Sequence, residues 1–528
     1  MKKFVSSIFA SILLSGSIFS WSLTPAQAET YFPITGSGST WSQNALDQWR
    51  RNVYSNYGIT VNYTGVGSSA GRRDFISKTV DFAVSEIPFQ SKPEDGSQPE
   101  VPLSKYAYMP IVAGGTSFMY NLKIGGKRVT NLRLSGENIT KIFTGVIVNW
   151  NDKAIAKDNP ALTLPNKIIT PVVRSDGSGT TAQFTLWMAK QHSSLWNAFC
   201  VKLGRQTPCG LTSQYPNFSG FKSQSGSNGV AGYVAQDYGE GAITYVEYSY
   251  AKKSGFPVAK VLNNSGYYVE PTAEAVAVSL LEAKINENPK SPDYLTQILD
   301  GVYNSMDPRA YPMSSYSYMI IPTEVAGTFS LKKGATLGEF ANYMLCDGQR
   351  QAEELGYSPL PLNLVQAGFK QIAKIPGASK SANTDISKCN NPTFKPGDKP
   401  GNNLLAKTAP MPLPCDKQGS TQCATGQTSG TTKPGASGED SEGDNSETDP
   451  NNPIDPGSGG TGGTGENIYV GPTANGKANL EAYAYEIPKQ PWGLNQTLML
   501  IAALLAVLVI VAPAIVVNRI NSRKSKGE

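Results

Sequence analysis

The chain has 528 residues, with 46 Lys and Arg against 41 Asp and Glu and a formal net charge of +5. That length accommodates several domains. The excess positive charge sits at the two ends, Lys2 and Lys3 at one and Arg519, Arg523, Lys524 and Lys526 at the other. The near-neutral stretch between them excludes a nucleic-acid surface, which needs clustered basic charge.

Lys2 and Lys3 precede an apolar run from Phe4 to Leu23, and Ala26-Gln27-Ala28 forms a small-x-small site. This predicts a secretory signal over 1–28 and a mature chain starting near Glu29. No cysteine stands there to take a lipid.

From Tyr31 to about Pro376 the chain reads as a folded α/β unit. Phe32–Ile34 is a short strand ending at Thr35-Gly36-Ser37-Gly38-Ser39-Thr40, and Trp41, Ala45, Leu46, Trp49 and Val53 follow at helical spacing. Ile59–Tyr63 is a second strand, Gly65–Gly71 its turn, and a helix runs through Phe75 and Ile76. Val80–Val84 is a third strand with Ser85-Glu86 at its end. Strands alternating with helices predict a parallel sheet with helices on both faces, its ligands lying beyond the carboxyl ends of the strands. Ile139–Trp150 reads as a helix and its exit, and Ile168–Val173 as a strand leading into Arg174-Ser175-Asp176-Gly177-Ser178-Gly179-Thr180. A helix from Ala182 then carries Phe184, Trp187 and Met188. Further helices are expected over Gly229–Asp237, Thr272–Ile285 and Thr336–Leu355, and strands over Ala242–Tyr248 and Tyr311–Pro322.

Residues 377–466 are rich in Gly, Ser, Thr, Pro and Asn, with an acidic patch from Glu439 to Asp449. Such a composition predicts a flexible tether. Tyr and Ile return over 467–490, an expected juxtamembrane segment. Leu494–Val517 is apolar and uncharged, preceded by Trp492 and followed by the basic tail 518–528. That pattern predicts a spanning helix, a cytoplasmic tail and everything before the span outside. Six cysteines in an exported chain suggest disulfides, here between sequence neighbours: Cys200–Cys209, Cys346–Cys389 and Cys415–Cys423. The alternative, zinc, lacks C-x-x-C spacing and has one histidine to draw on. No metal or cofactor is expected.

The chemistry concentrates where Ser178, Gly179 and Thr180 open a helix. Backbone N–H groups there have no partner within the helix, the macrodipole is positive, and Arg174 adds a cation, so the turn favours an oxyanion. Plain helix capping is the bland reading of the same residues and is compatible with it. Thr35–Thr40 lacks the Gly-Lys-Ser/Thr of a nucleotide loop. Gly67-Ser68-Ser69-Ala70-Gly71 satisfies G-x-S-x-G, and a serine hydrolase using Ser69 with His192 is the alternative it raises. Met188, Phe184 and Trp187 read as core.

Five ordered motifs resemble a known family: Thr35–Thr40, Gly65–Ser69, Val80–Glu86, Arg174–Thr180 and Gly241–Ala251. They are similar to those of the phosphate-binding receptors of bacterial ABC phosphate importers. Ile142-Phe143-Thr144-Gly145-Val146 and Asn149-Trp150-Asn151 look like the same family, and the resemblance covers about 31–374. It implies a two-lobed, periplasmic-binding-protein-like (type II) α/β fold over 29–376, closing at a hinge on one inorganic phosphate. One lobe would take about 31–115 and 311–376, the other about 116–310. It implies no catalytic residue, and ABC permease subunits in the membrane as partners. Carried over position by position, the ligand contacts would be Ser39, Thr40, the Trp41 backbone, Ser68, Glu86, Arg174, Ser178, Gly179 and Thr180, with Asp176 orienting Arg174. The family usually has Asp where this chain has Glu86. Either carboxylate can accept the proton that phosphate keeps and sulfate lacks, which is specificity by rejection. The same fold could instead serve a surface-displayed anion sensor or adhesin, or take sulfate, molybdate or arsenate.

Overall fold

The computed structural model describes residues 31–424 apart from 94–95, 289, 292, 295, 379–384 and 400. The expected signal, the remainder of the tether, the juxtamembrane segment, the spanning helix 494–517 and the basic tail lie outside the described residues. Among the described residues no helix is long and apolar enough to cross a membrane.

The elements that position the site are β1 (Ile34–Gly38), α1 (Gln43–Tyr57), β2 (Val61–Gly65), α2 (Ser68–Ile76), β3 (Phe82–Ser85) and β4 (Tyr106–Tyr120). They continue with β5 (Thr170–Arg174), α3 (Gly179–Gln191), β6 (Lys222–Gln224), α4 (Gly226–Val234), β7 (Ala242–Glu247) and β8 (Ser314–Pro322). Strand order in the sheet is β2-β1-β3-β8-β4-β7-β5-β6. β2, β1 and β3 are parallel, as are β7, β5 and β6, but β8 runs antiparallel to both β3 and β4, and β7 antiparallel to β4. The wholly parallel sheet expected from alternation is therefore corrected to a mixed one. A buried strand shows the same apolar run in either direction, so alternation alone could not reveal the reversal.

β4 joins the two halves. Its residues Tyr106–Gly115 pair with β8, and Thr116–Tyr120 pair with β7. One continuous strand thus belongs to both lobes. The register of β8 shifts between Ser317 and Tyr318. The core follows the expected faces: Ala45, Leu46, Trp49 and Val53 of α1, and Phe184, Trp187 and Met188 of α3, are buried.

The three expected disulfides are present, and no described cysteine is free, so zinc has no thiolate to bind. The tether expected from 377 needs correction, because residues 385–399 and 401–424 fold against the rest of the unit. Cys389 is bonded to Cys346, and Asn391 Nδ2 and Thr393 Oγ1 donate to Leu360 O at 3.1 and 2.8 Å. Leu404–Thr408 forms a short helix against Ala273–Ser279, and Arg309 Nη1 donates to Ala406 O at 3.0 Å. Asp416, 1% exposed, receives Lys260 Nζ at 2.8 Å and lies 3.6 Å from Arg133 Nη2. Asn131 Nδ2 donates to Cys423 O at 2.9 Å. Composition averages over a segment. Here two disulfides, Phe394, Ala406 and Ala409 in the core and a buried ion cluster offset the chain entropy of a segment rich in polar residues.

Candidate functional site

Each wall of the site is a strand end that feeds a helix. On one side β1 ends at Gly38 and Ser39-Thr40 lead to α1, β2 leads to α2, and β3 ends at Ser85 with Glu86 next in the chain. On the other, β5 ends at Arg174 and leads to α3, whose N-cap Ser178 accepts from Thr181 N at 3.2 Å. Beside it β6 leads to α4.

The walls touch. Gly179 N donates to Ser68 Oγ at 3.1 Å, and Ser68 Oγ donates to Glu86 Oε2 at 2.8 Å. A Cβ at Gly179 would overlap Glu86 Oε2 and lie 2.8 Å from Ser68 Oγ. Ser69 N donates to Gly177 O at 3.0 Å. Gly67, at φ 91°, turns the chain into α2 where Asp176 and Gly177 approach it, a conformation open mainly to glycine. Thr40 Oγ1 accepts from Ser227 N at 3.0 Å and lies 2.9 Å from Ser227 Oγ. Trp41 buries its ring, and its backbone N–H donates to Ser39 Oγ at 2.9 Å.

Two buried charges of the site are held in unlike ways. Arg174, 3% exposed, donates Nε to Asp176 Oδ1 at 2.7 Å and Nη2 to Asp176 Oδ2; Nη1 lies 3.4 Å from Ser227 Oγ. Burial is the largest influence on Asp176 and pushes its carboxyl up. The hydrogen bonds and charge of Arg174 and the Gly226 N–H outweigh it and hold the carboxyl below the usual range. Asp176 thus fixes the guanidinium, as expected. Glu86, 1% exposed, has no salt bridge among the described residues: Ser68 and Ser317 hydroxyls serve its two oxygens, the latter at 3.0 Å. An unpaired buried carboxylate is costly as structure. Glu100 shows the paired alternative, held by Arg72 through Nε at 2.6 Å. Thr180 Oγ1 is buried with no hydrogen-bond partner among the described residues.

Ser39, Thr40, Trp41, Ser68, Glu86, Arg174, Ser178, Gly179 and Thr180 are all buried at these strand and helix ends. Two members were missed. Ser227 opens α4, and Ser225-Gly226-Ser227-Asn228-Gly229 ahead of Val230 was a readable helix start. Ser317 lies mid-strand and had no signal.

The hydrolase pair is not assembled. Ser69 sits against Gly177, before α3, and its Oγ accepts from Arg72 Nη2 at 3.2 Å. His192 caps the far end of that 13-residue helix, about 20 Å away along its axis.

The sequence model of the PBP superfamily domain matches residues 23–348. The phosphate-binding protein PstS of Xylella fastidiosa (strain Temecula1) is 33% identical over 347 residues, covering 65% of this chain and 86% of that protein. The PstS of Pasteurella multocida is 32% identical over 356 residues, covering 67% and 93%. The chain belongs to the PBP superfamily, in the PstS family. A solved high-affinity periplasmic phosphate-binding protein, PfluDING, bound with phosphate, aligns at 18% identity with a TM-score of 0.49, over 64% of this chain and 92% of that one. In this PstS-family chain the matched region ends before the folded segment 385–424.

Proposed function

We propose that this protein captures inorganic phosphate outside the cell and delivers it to an ABC permease. The observation that carries the reading is the pairing across the cleft. The helix N-terminus that follows Arg174 and carries the unpartnered Thr180 hydroxyl meets, through the Gly179 N–H, the Ser68 hydroxyl and the buried, cation-free Glu86. The first wall attracts an oxyanion, and the second accepts a proton from one that carries it. The names of the PstS relatives support the same ligand.

Export is supported by the signal-like N-terminus and by three disulfides. Single-pass anchoring, with the binding unit outside and the tail in the cytoplasm, rests on the apolar stretch 494–517 and the basic residues after it. Calorimetry of the full-length chain in mild detergent and phosphate-free buffer tests ligand capture. Saturable heat at micromolar phosphate is expected; its absence rules the reading out.

A further inference from the structure

Glu86 is held by more than the strand that carries it. Its backbone carbonyl accepts from Gln183 Nε2 at 2.8 Å and from Gln297 Nε2 at 3.2 Å. Its Oε2 takes the Ser68 hydroxyl, whose oxygen also serves the Gly179 N–H. Oε1 is served from a different direction, by Ser317 on β8, 231 residues further along the chain. Ser317 is fully buried, and the Ser42 hydroxyl lies 3.3 Å from the same oxygen, so its rotor is itself constrained. The register shift of β8 falls immediately after Ser317. Strand irregularities of this kind re-aim a side chain next to a functional site.

We propose that Ser317 is a specificity-determining positioning residue: it locks the Glu86 carboxylate in the orientation that rejects an oxyanion without a proton. The inference rests on the phosphate reading above. Glu has one more rotatable bond than Asp, so the strand end alone fixes its carboxylate less firmly. With Ser68 on one oxygen and Ser317 on the other, the carboxylate plane cannot turn, and its remaining lone pairs stay aimed into the cleft. A fixed acceptor gains a hydrogen bond from hydrogen phosphate and meets unrelieved repulsion from sulfate. Without Ser317 the carboxylate can rotate away from a sulfate oxygen. The penalty against sulfate then falls more than the gain from phosphate.

Competition calorimetry of phosphate and sulfate on the full-length chain tests this, using wild type, Ser317→Ala, Ser317→Thr and Ser317→Val. The expected result is a phosphate-to-sulfate affinity ratio about tenfold or more lower in Ser317→Ala, the scale of losing a hydrogen bond to a charged group. Thr and Val bring the same extra bulk but only Thr a hydroxyl, so Ser317→Thr should keep the ratio nearer wild type than Ser317→Val. That pair carries the test if Ser317→Ala fails to fold. Equal ratios in Thr and Val, or a wild-type ratio in Ala, overturn the proposal. A wild type that binds no phosphate overturns the reading beneath it instead.

Discussion

The two walls of the cleft do opposite work with similar residues. The wall around α3 carries donor groups: the Arg174 guanidinium, the Thr180 hydroxyl and the Gly179 N–H, the last already given to Ser68, with Ser178 capping the helix. The wall around β1, α2 and β3 ends in a carboxylate with no cation. Asp176 already balances Arg174, so Arg174, Asp176 and Glu86 together are not positive. On the proposed reading, attraction for an anion would therefore come from directed donors and a helix end rather than from net charge. On the phosphate reading proposed above, the opposite wall would contribute little attraction and much selection.

The contrast is broken most severely at Arg174, the buried cation of the α3 wall. Arg174→Ala should weaken phosphate binding at least a hundredfold, the scale of truncating a buried, hydrogen-bonded charge, and should destabilise the fold by leaving Asp176 unpaired. Arg174→Ala with Asp176→Asn should recover melting temperature but not affinity, which calorimetry and thermal melts separate. Next comes the contact between the walls. Gly179→Ala places a methyl against Glu86 and Ser68. Overpacking costs about 1–3 kcal/mol, so a roughly 10- to 100-fold affinity loss in titration is expected.

A smaller effect isolates one donor. Thr180→Val should lower phosphate affinity roughly two- to tenfold. The melting temperature of the ligand-free protein should hold or rise, since that buried hydroxyl has no protein partner. The smallest effect lies outside both walls. Burial lowers His192 from 6.5 to about 4, with Glu137 opposing the shift. The unfolded chain therefore takes up that proton first. Stability from a neutral His192 is full above about 6.5 and is lost as pH falls toward 4. Acid melts of His192→Asn should lack that component, while phosphate affinity at neutral pH stays unchanged.

The walls were legible in the sequence because each is a contiguous turn. Thr35–Thr40, Gly65–Ser69 and Arg174–Thr180 each place Gly, Ser and Thr at a helix start, where local chemistry determines what they do. Ser227 and Ser317 escaped because their roles arise from contacts 187 and 231 residues distant. Strand direction escaped for the same reason: β4 reads as one apolar run whichever neighbours flank it. Residues 385–424 were misread because composition weighs every residue alike, whereas Cys389, Phe394 and Asp416 are few and hold the segment.

That segment also has a mechanical meaning. The last described turn is closed by Cys415–Cys423, with Asp416 gripped by Lys260 and Arg133 and Cys423 O held by Asn131. A pull on the chain beyond residue 424 meets this knot first. The load enters through the small sheet that carries Arg133 and Lys260, within the stretch expected as the second lobe. The disulfide loop and the buried ion cluster form one anchorage, so any tension applied at residue 424 would be borne there before it could reach Cys389 and the strand that leads to Glu86.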